Sequence, residues 1–443
     1  MKRITAIFLI IPFALIMLLP GIQKELKMIK VEPLYGAYDR TRMLDITAEN
    51  WFSGEFQEHF EIYLRDNIGL HPVFVRIFNQ YSFTLFKMSN DLGVAIGKNG
   101  VLYQPNYLET YKGEDFIGSA RIDTFARKLR RVQDELQRRN KFFLFIIAPG
   151  KVNIYPEIVP DRIGLERSDT TNLEVIKRCF DKYHINYIDF TDYFISIKDS
   201  IRYPLFPKYG THWSGYASGI VLDSILRRIE TETRGKIINY VKLPGYATTK
   251  DIRFTDNDLG KLLNLLLPLK PDTVYYPVYN FNKTKLKPEK KLLIVGDSFC
   301  QSFWGFDNVF PMVFSDSSMF WGYYRHKEWP DNPSLALPIN YIYLDEYISK
   351  IDIILLESVD QNLALLGYEF VDDLYYLFTH PGHSEEYLAG RLRENIILQA
   401  KRTKDQYVVQ KIADDMQISV DSAYQVFAYQ KQKKIYETKQ VFY

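Results

Sequence analysis

The spacing of apolar residues predicts alternating strands and helices through the middle of the chain. Continuous apolar runs at 142–148 and 292–295, and a run at 351–356 that only Asp352 interrupts, have the length of buried strands. Apolar residues recur with helical spacing around these runs, at 119–140, 171–183 and 214–229. Strands that alternate with helices are typical of a parallel sheet whose two faces are covered by helices. We therefore predict an α/β fold with a parallel sheet flanked by helices.

The two ends of the chain follow other patterns. Residues 4–22 are almost wholly apolar, follow the basic pair Lys2 and Arg3, and are just long enough to span a bilayer. The basic pair predicts a cytoplasmic amino end. Because the residues after this stretch make a poor cleavage site, we favour an uncleaved signal anchor over a cleaved signal peptide or a buried core helix. Near the carboxyl end, charged helical patterns predict a tail of helices.

These patterns divide the chain into four segments. We predict a signal anchor or transmembrane helix at 1–23, a lead-in of helices and a hairpin at 24–118, an α/β catalytic domain at 119–370, and a helical tail at 371–443. In the lead-in, the dipeptide Asn99-Gly100 lies between apolar residues and predicts the turn of the hairpin.

Composition and charge narrow the range of partners and cofactors. The formal net charge is +2, so nothing indicates a nucleic-acid partner. The two cysteines, Cys179 and Cys300, do not make a disulfide framework. The sequence has no CxxC, HxxxH or HExxH spacing, so we expect no metal site and no cofactor.

Polar side chains follow the three apolar runs at the points where the strands end. Lys151, Ser298 and Glu357 each come within a few residues of the end of one run. The carboxyl ends of neighbouring parallel strands line one crevice, so we expect these side chains to lie near each other. A serine hydroxyl needs a base to act as a nucleophile at neutral pH. Among the seven histidines, His212 in a polar and aromatic loop is the best candidate for that base.

Three short motifs occur in a fixed order along the chain. Phe-Ile-Ile-Ala-Pro-Gly-Lys stands at 145–151, Thr-His-Trp-Ser at 211–214, and Gly-Asp-Ser-Phe at 296–299. With further matches at 51–60, 96–103, 154–157 and 352–357, these motifs resemble the AlgJ/AlgX type of alginate O-acetyltransferase over residues 50–362. The resemblance implies an SGNH-hydrolase-like domain that is circularly permuted, because the histidine block precedes the serine block.

The resemblance also implies a function and a set of roles. It implies an exported enzyme that moves acetyl groups onto hydroxyls of a polysaccharide, with an integral membrane acyltransferase as the acetyl donor. Ser298 would be the nucleophile, His212 the general base, and the backbone N–H of Ser298 an oxyanion donor. The side chains that we predict to bind the substrate are Trp213, Asp297, Lys151 and Glu357. The protein would be a single-pass protein of the inner membrane, held by residues 4–22, with its globular part in the periplasm.

Two positions depart from that family's pattern. The family usually has an aspartate two residues before the histidine, and this chain has Gly210 there. An arginine often follows the third block, where this chain has Gln361. The groups considered as replacements for the aspartate are a backbone carbonyl and the carboxylates of Asp256, Asp258 and Glu357. A missing third member of a triad lowers rates by orders of magnitude. A non-catalytic scaffold for glycan binding or assembly therefore stays open as an alternative, as does a carbohydrate acetyl-esterase with the same serine and histidine.

Overall fold

A computed structural model describes residues 18–36, 41, 43–234, 240–281, 289–306, 309–329, 337–401, 403 and 405–437. The chain forms two compact units. The first contains the residues up to Pro105 together with Lys208–Thr211 and Asn257–Asp272. The second contains Asn106–Pro207, His212–Asp256 and the chain from Thr273 onward.

The described strands and helices follow in chain order. The strands are β1 (Ala95–Ile96), β2 (Leu102–Tyr103), β3 (Phe142–Ala148), β4 (Tyr187–Asp189), β5 (Tyr240–Thr248), β6 (Val274–Phe281), β7 (Leu292–Gly296), β8 (Met319–Gly322), β9 (His326–Trp329), β10 (Leu337–Pro338) and β11 (Ile353–Val359). The α-helices are α1 (Ala48–Ser53), α2 (Glu55–Asn67), α3 (His71–Tyr81), α4 (Asn106–Lys112), α5 (Ser119–Arg138), α6 (Lys151–Ile154), α7 (Asn172–Lys182), α8 (Phe190–Ile197), α9 (Gly215–Thr233), α10 (Asp258–Leu262), α11 (Phe310–Val313), α12 (Leu344–Lys350), α13 (Phe370–Thr379), α14 (Ser384–Ala400), α15 (Asp405–Met416) and α16 (Val420–Glu437).

A seven-stranded sheet in the second unit has the order β10-β9-β8-β7-β11-β3-β4. The five strands from β8 to β4 are parallel, as the alternating pattern predicted. β9 and β10 are antiparallel, so the sheet is mixed and the prediction of a wholly parallel sheet is corrected. The reason is local: β9 starts four residues after β8 ends, and so short a connection allows only an antiparallel return.

The centre of this sheet brings three strand ends together. β11 lies between β7 and β3, with Leu356 opposite both Val295 and Phe145. Every residue of β7 and β11 is buried. This burial explains why both strands read as continuous apolar runs instead of alternating ones. Because the three strands are parallel and neighbouring, the turns that follow Ala148, Gly296 and Val359 share one edge of the sheet.

Helices complete the core of the second unit. The predicted helix at 119–140 is confirmed as α5, which buries Ile122, Leu129 and Leu136 along one side. The predicted tail does not form a core of its own. Leu392 of α14 and Phe427 of α16 belong to the same hydrophobic cluster as the sheet and α5. The tail therefore contributes to the α/β unit, since its apolar side chains complete that cluster.

The first unit contains the lead-in helices α1 to α3, α10 and a small hairpin. The hairpin prediction is confirmed, because Ala95 pairs with Tyr103 and the turn between the strands includes Asn99 and Gly100. Asn99 adopts a left-handed conformation with φ of 56°, which asparagine tolerates better than most residues.

The predicted signal anchor at 1–23 lies largely outside the described residues. Residues 18–26 are helical, and residues 1–17 are not among those described. Within the described part of the chain, no helix combines the length and the apolar character that a membrane crossing requires.

Candidate functional site

Ser298 lies on the turn that follows β7. Its side chain is partly exposed, whereas Gly296, Asp297 and Phe299 around it are buried. Gly296 is required here by close packing, since a Cβ at this position would lie 2.7 Å from Cys300 Sγ and from a Glu357 carboxylate oxygen. The Asp297 carboxylate accepts the backbone N–H of Phe299 at 3.0 Å and starts the short 3-10 turn that carries Ser298. The turn thus presents a hydroxyl at the edge of a rigid strand.

His212 contacts Ser298 directly. Its Nε2 atom lies 2.8 Å from Ser298 Oγ, and the histidine is only 7% exposed. Residues 86 positions apart along the chain therefore meet in one hydrogen bond. An imidazole nitrogen that accepts from a serine hydroxyl can take its proton as the oxygen attacks. The arrangement has the geometry of a nucleophile and its general base.

Aromatic packing fixes the ring of His212. The Phe299 ring lies 5.0 Å from the His212 ring and 5.0 Å from the Trp213 ring, measured between centroids. Trp213 Nε1–H donates to Ser302 Oγ at 2.9 Å. The next residue, Ser214, caps α9 by accepting the backbone N–H of Ala217. The histidine loop is therefore held on both sides by buried contacts.

Asp297 joins the end of β7 to the end of β11. Its Oδ2 atom accepts hydrogen bonds from the Val359 backbone N–H at 3.0 Å, from Asn362 Nδ2 at 2.8 Å and from the Tyr368 hydroxyl at 3.0 Å. With the Phe299 N–H on Oδ1, the carboxylate accepts four hydrogen bonds. The carboxylate therefore ties the nucleophile turn to the end of β11 and to the residues that follow it.

Glu357 is fully buried under the same turn. Its Oε2 atom accepts the Asp297 backbone N–H at 3.0 Å and the Cys300 thiol at 3.2 Å. Burial, together with the charge of Asp297, raises the pKa of Glu357 well above its ordinary value. Glu357 therefore holds the nucleophile turn from below through its Oε2 atom.

Asp360 joins the end of β11 to the turn after β3. It accepts the backbone N–H of Gly150 at 2.8 Å, the side-chain amide of Asn153 and the backbone N–H of Gln361 at 2.7 Å. Burial raises the pKa of Asp360 to about 6. Lys151, on the same turn, is 1% exposed, and its ammonium donates to the Pro207 carbonyl at 2.6 Å. This turn buries its charged side chains.

The four side chains that we predicted to bind the substrate are all buried. Each of them is at most 1% exposed: Trp213, Asp297, Lys151 and Glu357. Their contact with substrate stays a prediction. The structure instead places these four groups behind the turns and the ring that they hold.

Tyr323 is a residue that the sequence reasoning missed. Its backbone N–H donates to the Gly296 carbonyl at 2.7 Å, and its left-handed backbone, with φ of 49°, ends β8 beside the nucleophile turn. Burial and the charge of Asp297 raise the pKa of Tyr323 to about 12. The phenol therefore keeps its proton at neutral pH, and the backbone of Tyr323 is bonded to the end of β7, just before the turn that carries Ser298. Nothing in an apolar pattern signals such a conformation.

The carboxylates considered as replacements for the family's aspartate have partners of their own. Asp256 accepts the Tyr276 hydroxyl. Asp258 accepts the backbone N–H groups of Thr211 at 2.9 Å and of Leu259 at 2.7 Å. Glu357 is engaged by the nucleophile turn, as described above. Gly210 stands where the family has an aspartate, so Gly210→Asp tests how much a carboxylate at that position adds to the orientation of His212.

Comparisons with known proteins agree with the motifs. Residues 94–310 match the family described as the SGNH hydrolase-like domain of acetyltransferase AlgX. This range includes His212 and Ser298 and ends before Glu357. A search of curated proteins finds no match to the chain.

Several solved structures are similar to the chain at low identity. The O-acetyltransferase domain of Pseudomonas putida AlgJ is 13% identical with a TM-score of 0.42, covering 64% of this chain and 98% of that one. Bacillus cereus PatB1 is 13% identical with a TM-score of 0.41, covering 62% and 99%. Pseudomonas aeruginosa AlgX is 14% identical with a TM-score of 0.39, covering 63% and 67%. On the family match over residues 94–310, the resemblance of this chain to AlgJ/AlgX-type acetyltransferases is confirmed.

Proposed function

We propose that this chain is an O-acetyltransferase that acetylates hydroxyls of an exported polysaccharide through an acetyl-serine intermediate. The observation that carries the proposal is the 2.8 Å contact between His212 Nε2 and Ser298 Oγ at the end of β7. The match to an acetyltransferase family over the region that contains both residues supports the choice of acyl group.

The reaction proceeds in two balanced halves. Ser298 Oγ attacks the carbonyl carbon of the acetyl donor while His212 takes the hydroxyl proton. The bond between the acetyl group and the donor breaks, and His212 returns the proton to the leaving group. In the second half a sugar hydroxyl attacks the acetyl-serine, His212 takes the sugar proton, and Ser298 leaves with that proton as a free hydroxyl.

We assign two donors to the negative charge that develops on the acetyl oxygen. One is the backbone N–H of Ser298, and the other is the hydroxyl of Tyr323, whose backbone N–H donates to the Gly296 carbonyl at the end of the same strand. Because its pKa is about 12, Tyr323 keeps its proton at neutral pH and can donate it in a hydrogen bond. The buried groups Asp297 and Glu357 hold the turn in place.

The location and the donor belong to the same proposal. We infer a single-pass protein of the inner membrane, held by residues 4–22, with its globular part in the periplasm and an integral membrane acyltransferase as the source of acetyl groups. The apolar stretch after Lys2 and Arg3 supports this location.

Acetyl release from a chromogenic acetyl ester, with and without an oligosaccharide acceptor, tests the proposal. We expect wild type to turn over and to acetylate the acceptor, and we expect Ser298→Ala and His212→Ala to do neither. His326→Ala is the matched control, because His326 bonds to Glu328 instead of a serine. Release of acetate without acetylated acceptor would favour the acetyl-esterase alternative.

A silent wild type would favour the non-catalytic scaffold, which the glycine at position 210 supports. The variant Gly210→Asp then separates two causes. Activity that appears in Gly210→Asp would show that the missing carboxylate is responsible, because an aspartate there fixes the histidine tautomer in the family pattern. If wild type and Ser298→Ala both bind glycan and no variant shows turnover, the proposal that this chain is an enzyme is contradicted.

A further inference from the structure

An apolar face is turned to solvent along α3. Phe74, Ile77, Phe78 and Tyr81 are between 43% and 60% exposed. These positions follow the spacing i, i+3, i+4, i+7 and therefore form one stripe on the helix. A helix of a soluble domain normally directs such a stripe into the core. On α3 this apolar stripe is exposed to solvent instead of buried in the core.

The stripe continues beyond the helix. A π-helical turn at Ser82–Phe86 follows α3 directly. The residues of this apolar face, all more than 40% exposed, are Phe74, Ile77, Phe78, Tyr81, Leu85, Phe86 and Met88. Contiguous exposed apolar surface of this extent marks a binding surface in folded proteins.

The opposite side of α3 is held by its own unit, so the orientation of the apolar face is fixed. The Arg76 guanidinium donates to the carbonyls of Glu32 at 2.9 Å and Pro33 at 2.7 Å. Asn79 Nδ2 donates to the Leu263 carbonyl at 2.9 Å. These contacts direct the polar side of the helix inward and leave the apolar side outward.

The charge pattern of the segment fits a phospholipid surface. Residues 67–90 contain neither aspartate nor glutamate, and their cations are Arg76 and Lys87. Negatively charged headgroups repel acidic residues and attract basic ones, while phenyl and phenol rings favour the headgroup boundary. A segment with exposed aromatic rings, cations and no acid has the composition of an interfacial helix.

The amino-terminal apolar stretch ends beside this helix. Residues 18–26 pack against the turn between α2 and α3, where a Cβ on Gly69 would lie 2.7 Å from the Lys24 backbone nitrogen and closer still to the Pro20 carbonyl. The Lys24 ammonium lies 5.4 Å from the centroid of the Tyr63 ring on α2. Pro20, near the end of the stretch 4–22, therefore lies against Gly69, which precedes the first residue of α3 by two positions.

We propose that the apolar face of α3 and its following turn binds the surface of a phospholipid bilayer. This proposal requires no catalytic activity, so its outcome is separate from that of the proposed function. The first unit is then held against the membrane by the apolar face of α3 as well as by the apolar stretch at residues 4–22.

A single fluorescent label tests the proposal in the full chain. Phe78→Cys is labelled with an environment-sensitive nitrobenzoxadiazole probe, since the two native cysteines, Cys179 and Cys300, are buried. The protein is reconstituted into vesicles of phosphatidylethanolamine and phosphatidylglycerol, with and without doxyl-labelled lipid. Glu61→Cys, an exposed polar position on α2, is the matched control.

We expect the Phe78 label to shift to the blue, to be quenched by doxyl lipid and to be protected from aqueous iodide. The Glu61 label should show the reverse. Equal iodide access at both positions would overturn the proposal. A Phe78 label that is shielded without lipid quenching, with dimers on chemical crosslinking, would assign the face to a second copy and would overturn it as well.

A second variant separates lipid contact from a change in folding. The double substitution Phe74→Asp with Phe78→Asp alters only exposed positions, so far-ultraviolet circular dichroism should stay unchanged. We expect a label at Phe86→Cys to lose its lipid quenching in this background. Retained quenching at Phe86 in the folded double variant would contradict a role for the α3 stripe.

Discussion

The turns after β3 and β7 share a plan but present different groups. Each follows a buried parallel strand, and each is tied to β11 by a buried carboxylate: Asp297 reaches from β7 to β11, and Asp360 from β11 to β3. On the β7 turn the next residue is Ser298, partly exposed and in contact with a histidine. On the β3 turn Lys151 is buried against a backbone carbonyl. The comparison teaches that a strand end supplies rigidity, whereas exposure and a base supply the chemistry.

The largest difference between the two turns should appear when the residue that each turn presents is replaced. Ser298→Ala should lower acetyl release by about 10³-fold or more, because the nucleophile is lost. Lys151→Met should leave the kinetic constants of the folded protein unchanged and lower its thermal stability, since a buried hydrogen bond is removed. Steady-state kinetics and thermal unfolding measure both. A large rise in KM for Lys151→Met would contradict the structural role that we assign to the β3 turn.

The Asp360 bridge should make the β3 turn sensitive to pH. Burial raises the pKa of Asp360 from 3.8 to about 6, so the folded protein holds a proton that the unfolded chain releases. The contribution of Asp360 to the free energy of unfolding is therefore complete below about pH 4. It is lost as the pH rises through about 6, which lowers the free energy of unfolding by up to about 3 kcal/mol. Denaturant unfolding of wild type and Asp360→Asn at several pH values isolates the effect. A difference in unfolding free energy that does not change between pH 4 and 7 would contradict it.

Tyr323 is a second difference between the two turns, because in our proposal only the β7 turn has a neighbouring hydroxyl that takes part in the reaction. Tyr323→Phe removes one hydroxyl and keeps the ring, so we expect kcat to fall by about 10²-fold. The KM for the acetyl ester should change little, since the donor acts on charge that develops during the reaction. Tyr193→Phe, an exposed tyrosine on α8, is the control. Equal rates for Tyr323→Phe and the control would remove Tyr323 from the mechanism.

The smallest expected effects come from the two bridging carboxylates, Asp297 and Asp360. Asp297→Asn and Asp360→Asn each turn an amide N–H₂ toward a donor, and we expect a lower unfolding free energy, by about 1–3 kcal/mol, for Asp297→Asn at pH 7 and for Asp360→Asn at pH 4, where wild-type Asp360 is protonated. Only Asp297→Asn should also lower the activity per folded molecule, because it loosens the turn that carries Ser298. Parallel losses of activity in both variants would show that the two turns act as one unit.

The sequence predicted those parts of the fold that depend on apolar patterning. The runs that became β3, β7 and β11 are buried on both faces, and parallel neighbours bring their ends together, so the meeting of Ser298 and His212 follows from the pattern and the motifs. The antiparallel strands β9 and β10 carry no comparable pattern, because they are short and lie at the edge of the sheet. The pairing of β5 with β6 joins segments separated by 25 residues, which no local turn signal reveals.

Side-chain direction is what sequence reasoning could not supply. Asp297 and Trp213 flank reactive residues, and proximity alone suggested contact with substrate. Their burial is decided by donors from Val359, Asn362 and Tyr368 and by the Phe299 ring, which lie elsewhere in the chain. Tyr323 was missed for a similar reason, since its approach to Ser298 depends on a left-handed backbone at the end of β8.

The most direct test of the central claim is to find the acetyl group on the protein. Wild type mixed with a chromogenic acetyl ester, quenched in acid and digested, is mapped by mass spectrometry. We predict acetylation on the hydroxyl of Ser298, loss of the acetyl group when an oligosaccharide acceptor is added, and no modified peptide from Ser298→Ala or His212→Ala. Turnover of the ester with Ser298 unmodified, or with the acetyl group on another residue, would contradict the account.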